Sequence, residues 1–152
     1  MIGLLQRVRH ARVCVDKAEI AAIEAGLLVL VGVERDDDER SAERLAERLL
    51  GYRVFADSAG RMNASLQDYQ GGLLLVPQFT LMADTAKGTR PGFASAAAPE
   101  HAEPLFAQLC AIACEKHAPV GWGRFGADMQ VTLCNDGPVP FWLQARPDSR
   151  SR

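Results

Sequence analysis

The side chains that could do chemistry fall into three groups along the chain. Cys110, Cys114 and His117 follow one another at helical spacing and could share a face, as part of a zinc site would. A structural zinc normally needs four ligands, usually with a second CxxC-type pair. None of the four cysteines, Cys14, Cys110, Cys114 and Cys134, belongs to a CxxC pair, so small thiols packed along a helix explain the pattern equally well. The stretch Gly121-Trp122-Gly123-Arg124-Phe125-Gly126 spells GxGxxG. It follows Pro119 rather than a clear strand and leads toward another strand, which is the wrong context for a dinucleotide turn. No GxSxG elbow, HExxH helix or GxxxxGK[ST] loop occurs, and His10, His101 and His117 have no credible nucleophile beside them in sequence. They read as surface or edge residues. The remaining hydroxyl of interest is Thr80 in Pro77-Gln78-Phe79-Thr80-Leu81, where an apolar run gives way to a loop; the plainer alternative is a strand-end threonine. The expectation is an activity with no metal and no nucleotide cofactor.

The elements that must position these residues are largely periodic. Residues 4–15 contain an alternating stretch continued by Val13 and Val15, the pattern of a half-buried strand that opens a sheet. Residues 26–33 form a continuous valine-rich apolar run bounded by glycines, which predicts a central strand covered on both faces. Asp36, Asp37 and Asp38 then offer N-cap and first-turn charge ahead of Ala42, Leu45, Ala46 and Leu49, predicting an amphipathic helix that ends near Gly51. A second helix is predicted after Pro99, with Leu105, Leu109, Ile112 and Ala113 on one side and Pro104 disturbing its first turn. Between them, residues 52–55 and 73–76 read as short strands around a turn at 57–60, and residues 83–98 as a surface loop. Residues 130–134 and 139–143 read as two strands joined by a turn at Asn135-Asp136-Gly137-Pro138. The fold class expected is α+β: antiparallel or mixed sheets with two flanking α-helices.

With 152 residues, 48% of them hydrophobic, the chain has enough apolar surface for one domain, expected over residues 1–146 with a frayed tail at 147–152. The first residues lack the apolar core of a signal peptide, and no apolar run reaches the roughly 18 residues of a membrane span. A cytoplasmic protein with reduced thiols and no membrane partner is expected. A formal net charge of −2 argues against a protein that coats nucleic acid non-specifically, so any RNA contact has to be local. Arg7, Arg9 and Arg12, then Lys87 and Arg90, then Arg124, are the basic groupings that permit one; solvated charge explains them as well.

Several strings are more specific in combination than any is alone. Gln78-Phe79-Thr80-Leu81, then Ala83-Asp84-Thr85 with Lys87-Gly88-Thr89-Arg90-Pro91, then Gly123-Arg124-Phe125-Gly126-Ala127 with Met129, then Asn135-Asp136-Gly137-Pro138-Val139 resemble, in that order, the D-aminoacyl-tRNA deacylase family. Gln6-Arg7-Val8 and Gly51-Tyr52-Arg53-Val54-Phe55 are similar too, so the resemblance runs from Met1 to about Ala145. It implies a cofactor-free hydrolase for the ester of D-aminoacyl-tRNA, and for glycyl-tRNA mischarged on the alanine tRNA. It also implies that the sheets curve to form a barrel-like core, and a homodimer with active sites at the subunit interface.

In the family a Ser-Gln-Phe-Thr-Leu string and an Asn-x-Gly-Pro-Val-Thr string build each site, the second coming from the other subunit. Here Pro77 and Pro140 stand where the family has the serine and the final threonine. The resemblance implies catalytic places for Gln78, Phe79 and Thr80. It implies substrate binding and chiral selection for Gly137, Pro138 and Arg7, with the family's cis Gly-Pro carbonyls forming a wall and Arg7 bracing it. Such a wall accepts hydrogen bonds from the substrate's amino group and leaves no room for an L side chain. Hydrolysis would draw on backbone N–H groups and the RNA's own 2′-hydroxyl. Because a related group with looser chirality control also carries the first proline, a deacylase relaxed toward L-aminoacyl-tRNA is one competing reading. A non-catalytic tRNA-binding module is the other.

Overall fold

A computed structural model describes residues 1–146; the tail expected at 147–152 lies outside the described residues. The first strand, β1 (Ile2–Val15), is long enough to serve three neighbours. Its second half pairs antiparallel with β2 (Ala18–Ile23), and its first half pairs antiparallel with β3 (Gly26–Gly32). Its opposite edge carries β8 (Gln130–Gln144), again antiparallel. Beyond β3 the sheet continues in parallel through β6 (Gly72–Pro77) and β7 (Val120–Trp122). Parallel neighbours need crossovers, and these carry the helices. α1 (Glu39–Gly51) lies between β3 and β6, and α3 (Pro99–Lys116) between β6 and β7. The sheet curls until β2 approaches β7, so that a Cβ at Gly121 would lie 3.2 Å from the Ala21 Cβ. It is a nearly closed, barrel-like sheet.

Because strand side chains alternate between faces, each strand of this sheet feeds two cores. Leu5, Leu27, Val29, Leu73 and Leu75 face the helices, where they meet Leu45 and Leu49 of α1 and Leu105 and Leu109 of α3. Val8, Val13, Leu28, Leu74 and Val76 turn the other way and fill the barrel. That is why β3 and β6 read as unbroken apolar runs. Each such side chain contributes roughly 1.5–3 kcal/mol when fully buried. β3 and β6 also approach closely at their starts: a Cβ on Gly26 would lie 2.0 Å from the Gly72 carbonyl oxygen, so only glycine fits there.

α1 begins where Asp38 accepts from the Ser41 N–H at 2.9 Å while Ser41 Oγ accepts from the Asp38 N–H at 3.3 Å, a reciprocal cap. Replacing Asp38 by alanine removes one acceptor from an exposed helix start. The expected cost is about 1 kcal/mol, or a fall of roughly 3 °C in Tm for a chain of this size. Thermal denaturation followed by circular dichroism checks it, and an unchanged Tm would mean water caps this helix equally well. α3 starts with Pro99 at its first turn and runs through Pro104 without breaking. Leu105, Phe106 and Leu109 hold that turn against the sheet despite the missing N–H.

Three expectations need correction. Residues 130–134 and 139–143 are not two strands joined by a turn: both lie in β8, because β1 keeps the chain running in one direction on either side of Asn135-Asp136-Gly137-Pro138. The turn-prone residues make a bulge, not a reversal. Residues 52–55 are not a strand over that length: of them only Phe55 is paired, in β4 (Phe55–Ala56), whose partner is β5 (Met62–Ala64) in a separate ribbon. A third helix, α2 (Leu66–Tyr69), joins the two expected, a single turn capped by Ser65 and Asp68. Its Tyr69 ring stacks on Phe55 at 4.2 Å between centroids. No helix among the described residues is long and apolar enough to cross a membrane.

Candidate functional site

The first candidate group sits where β6 ends. Pro77 is still in register with Val31 of β3, and the Gln78 N–H donates to the Val31 carbonyl at 2.7 Å. The chain then winds into a single 3-10 turn, Phe79–Met82, with the Leu81 N–H returning to Gln78 and the Ala83 N–H to Thr80. The leading N–H groups of a helical turn have no partner within it. Those of Phe79 and Thr80 therefore open the turn as donors, and both residues are exposed. Met82 is the buried anchor, seated beside Gly32. The Gln78 side-chain amide donates to Thr80 Oγ1, so the hydroxyl is oriented by its own neighbour.

Beside this turn stands the loop 83–98. Asp84 and Gly92 exchange backbone hydrogen bonds at 2.7 and 3.0 Å, closing the loop that carries Thr85, Lys87 and Arg90 into solvent. Ser95 Oγ donates to the Met82 carbonyl at 2.8 Å, tying the loop to the turn. Phe93 leans on Phe79 at 5.1 Å between centroids, leaving Phe79 62% exposed. A large apolar ring this open beside polar donors marks a contact surface.

The second group is the bulge of β8. Gln6 pairs with Pro140 and Val8 with Asn135, so residues 136–139 all face Arg7. The Gly137–Pro138 peptide is cis, and Gly137 has φ +136°. Arg7 reaches into the bulge from β1: Nε donates to the Asp136 carbonyl at 3.0 Å, and a second guanidinium nitrogen donates to the Val54 carbonyl at 2.6 Å. The bulge is thus tied to the chain leaving α1. Asn135 adds a bond to Gln6 at 3.4 Å. Pro140 lies at the end of the bulge on a strand that, among the described residues, is bonded only to β1, where its missing N–H disrupts no inner ladder.

The two groups do not meet within this chain. Gln78 is level with Val31, whereas Arg7 and the bulge are level with Leu27, Arg7 two strands away across the sheet and the bulge three. Strand rise alone separates them by roughly 13 Å.

Cys110 is buried in α3, where burial pushes its thiol up to about 12, while Cys114 is exposed. His117 Nε2 lies 2.7 Å from the Gly71 carbonyl oxygen and His101 Nε2 2.8 Å from that of Asp37, so both rings serve the backbone. No three His, Cys, Asp or Glu side chains among the described residues are placed to hold an ion. The GxGxxG letters at 121–126 run from β7 into a loop with no helix behind it.

Sequence reasoning missed the parts played by Val54, Asp136 and Arg9 at the bulge, and by Phe93 at the turn. Arg7 and Arg9 are two apart on a strand, hence on one face, which was the available signal for a shared partner. Nothing in the sequence points to Val54, since what it offers is a backbone carbonyl.

Comparison with known proteins finds likeness over nearly the whole chain. The family model described as D-Tyr-tRNA(Tyr) deacylase matches residues 4–144. The D-aminoacyl-tRNA deacylase of Alkalilimnicola ehrlichii is 63% identical over 98% of this chain and 99% of its own length. That of a Janthinobacterium species is 58% identical over 97% and 99%. Among solved structures, the c-Myc DNA Unwinding Element Binding Protein superposes with a TM-score of 0.91 at 35% identity, covering 97% of this chain and all of that one. A probable eukaryotic D-amino acid tRNA deacylase superposes with a TM-score of 0.79 at 16% identity, over 93% and 98%, a likeness of fold.

Proposed function

The chain belongs to the D-Tyr-tRNA(Tyr) deacylase family, and from that premise we propose that it hydrolyses the ester joining a D-amino acid to the terminal ribose of tRNA. The observation that carries the reading is the match of whole lengths, 63% identity across 98% of the chain, to a relative named for this activity. The exposed turn at the end of β6 supplies groups suited to the reaction.

Ester hydrolysis adds water to the carbonyl carbon, places negative charge on the carbonyl oxygen, and expels the ribose oxygen, which takes up a proton. The N–H groups of Phe79 and Thr80 are the donors proposed for that oxygen; one good donor of this kind contributes roughly 3–4 kcal/mol to the transition state. Gln78 orients the Thr80 hydroxyl beside them, and the RNA's 2′-hydroxyl assists the attack. This division of labour requires neither a nucleophilic side chain nor a metal.

Chiral selection falls to Gly137 and Pro138, whose carbonyls accept from the substrate's amino group and close the space an L side chain would need. Arg7 holds them there through its bonds to Asp136 and Val54. Achiral glycine passes, so glycyl-tRNA mischarged on the alanine tRNA is a second substrate. Since the bulge lies far from the catalytic turn of its own chain, it serves the turn of another. A homodimer with its sites at the subunit interface follows, and the open edge of β8, with Trp142 52% exposed, offers a surface for it.

Single-turnover hydrolysis of D-tyrosyl-, glycyl- and L-alanyl-tRNA, with and without a chelator, tests the reading. Chelator-insensitive loss of the first two while the third survives is the expected result. Loss of the L ester as well would mean a specificity relaxed by Pro77 and Pro140. Binding without turnover would leave a tRNA-binding module.

A further inference from the structure

We infer that Asp136, at the freely chosen position of the Asn-x-Gly-Pro string, is a positioning residue that latches the selective bulge to β1 through Arg7 and Arg9 together. The inference rests on the proposed deacylase reading and deepens it. Its main chain and side chain point to the same task. The Asp136 carbonyl accepts from Arg7 Nε at 3.0 Å, and its carboxylate lies 3.6 Å from Arg7 Nε and 3.6 Å from Arg9 Nε.

Arg7 and Arg9 project from the same face of β1, and the carboxylate sits where both can reach it. The Arg7 side chain is only 18% exposed and already spends donors on two neutral carbonyls. A guanidinium removed that far from water is better satisfied by an anion, and Asp136 provides one. The residue that follows is Gly137, whose φ of +136° is an uncommon state that must be held by its surroundings. Asp136 directly precedes Gly137 in the chain, so what fixes its carboxylate also fixes the entry to the selective segment. It is also 42% exposed, so the ion pairs add little to folding stability. Their effect is on where the bulge stands, and a recognition element displaced by about half an ångström loses selectivity before it loses anything else.

The test compares Asp136→Asn, which keeps the shape and removes the charge, with Arg9→Gln and the double variant, in the full-length protein. The readout is the ratio of single-turnover rates on the D-tyrosyl and L-tyrosyl esters of one and the same tRNA, together with Tm. Asp136→Asn is expected to lower that ratio roughly three- to tenfold while Tm moves by less than about 2 °C. Arg9→Gln should do the same more weakly, and the double variant should be no worse than Asp136→Asn alone. Raising salt should bring the parent's ratio toward that of Asp136→Asn, because both esters share one tRNA body and its own salt dependence cancels in the ratio. An unchanged ratio in Asp136→Asn, or effects of the two single variants that simply add, would overturn the latch. A parent inactive on the D ester would overturn the deacylase reading and this inference with it; an active parent with an unchanged Asp136→Asn overturns the latch alone.

Discussion

Gly137→Ala is expected to fold as the parent does and to lose about 100-fold in the rate of D-ester hydrolysis, the scale set by a misplacement of about 1 Å at a reacting centre. Two features of the bulge make the change severe. Gly137 has φ +136°, a region that side-chain-bearing residues rarely enter. A Cβ there would also stand 2.5 Å from Val139 Cγ2 and 3.0 Å from its backbone nitrogen, with an Arg7 guanidinium nitrogen at 3.4 Å. Relief requires the bulge to shift as a unit, and its carbonyls shift with it. Folding stability is expected to fall by about 1–3 kcal/mol, the cost of a side-chain-bearing residue at that φ, and by no more, because the bulge lies on an edge strand and Gly137 is outside both apolar cores. Single-turnover rates beside a melting curve separate the two effects. A variant with parental rates would remove Gly137 from the selective wall; one that melts far below the parent would show that the bulge also supports the sheet.

The second large effect lies at the other end of β1. The Met1 amino group is fully buried, paired with Asp37, and donates to the Ala145 carbonyl at 2.6 Å. Asp37 is itself 3% exposed and accepts from the Glu34 N–H at 2.7 Å. Asp37→Ala would leave an uncompensated cation and an unbonded N–H away from water. Removing one member of such a pair costs about 3–5 kcal/mol, which lowers Tm by roughly 10 °C or more in a chain of this size. The neighbouring Asp38→Ala, an exposed cap, is the internal control at about 1 kcal/mol. Comparable losses for the two variants would mean that water reaches the amino group in solution.

How legible the fold was depended on whether an element's signal was local. β1, β3 and α1 declared themselves through periodicity, because alternation, an unbroken apolar run and an i, i+3, i+4 pattern each follow directly from which faces are buried. β8 did not. Asn135, Asp136, Gly137 and Pro138 have the chemistry of a turn, and only the continued pairing with β1 on both sides shows that the chain bulges instead. α2 is one turn long, too short for periodicity, although Ser65 and Asp68 at capping-box spacing were a readable sign of it. For the candidate site, Gln78, Phe79, Thr80 and Gly137 were reachable by resemblance and not by spacing. What no local pattern could show is that the turn after β6 and the bulge of β8 stand apart in the folded chain, since that follows from the order of strands in the sheet.

The placement of β1 also sets the order of events as the chain is made. Ile2 lies opposite Gln144 and Cys14 opposite Gln130, so β1 completes its pairing only once β8, far later in the sequence, has been made. At synthesis rates of about 5–20 residues per second, β1 waits on the order of ten seconds with one edge unpaired. An unpaired strand edge of fourteen residues is a template for the wrong neighbour as well as the right one. Contacts this distant in sequence also slow folding, because the loop between the strands must close before the pairing that rewards it can form. Yield at high expression rates should therefore be governed by this interval more than by the stability of the finished barrel, and slowing synthesis or lowering temperature should favour the folded protein.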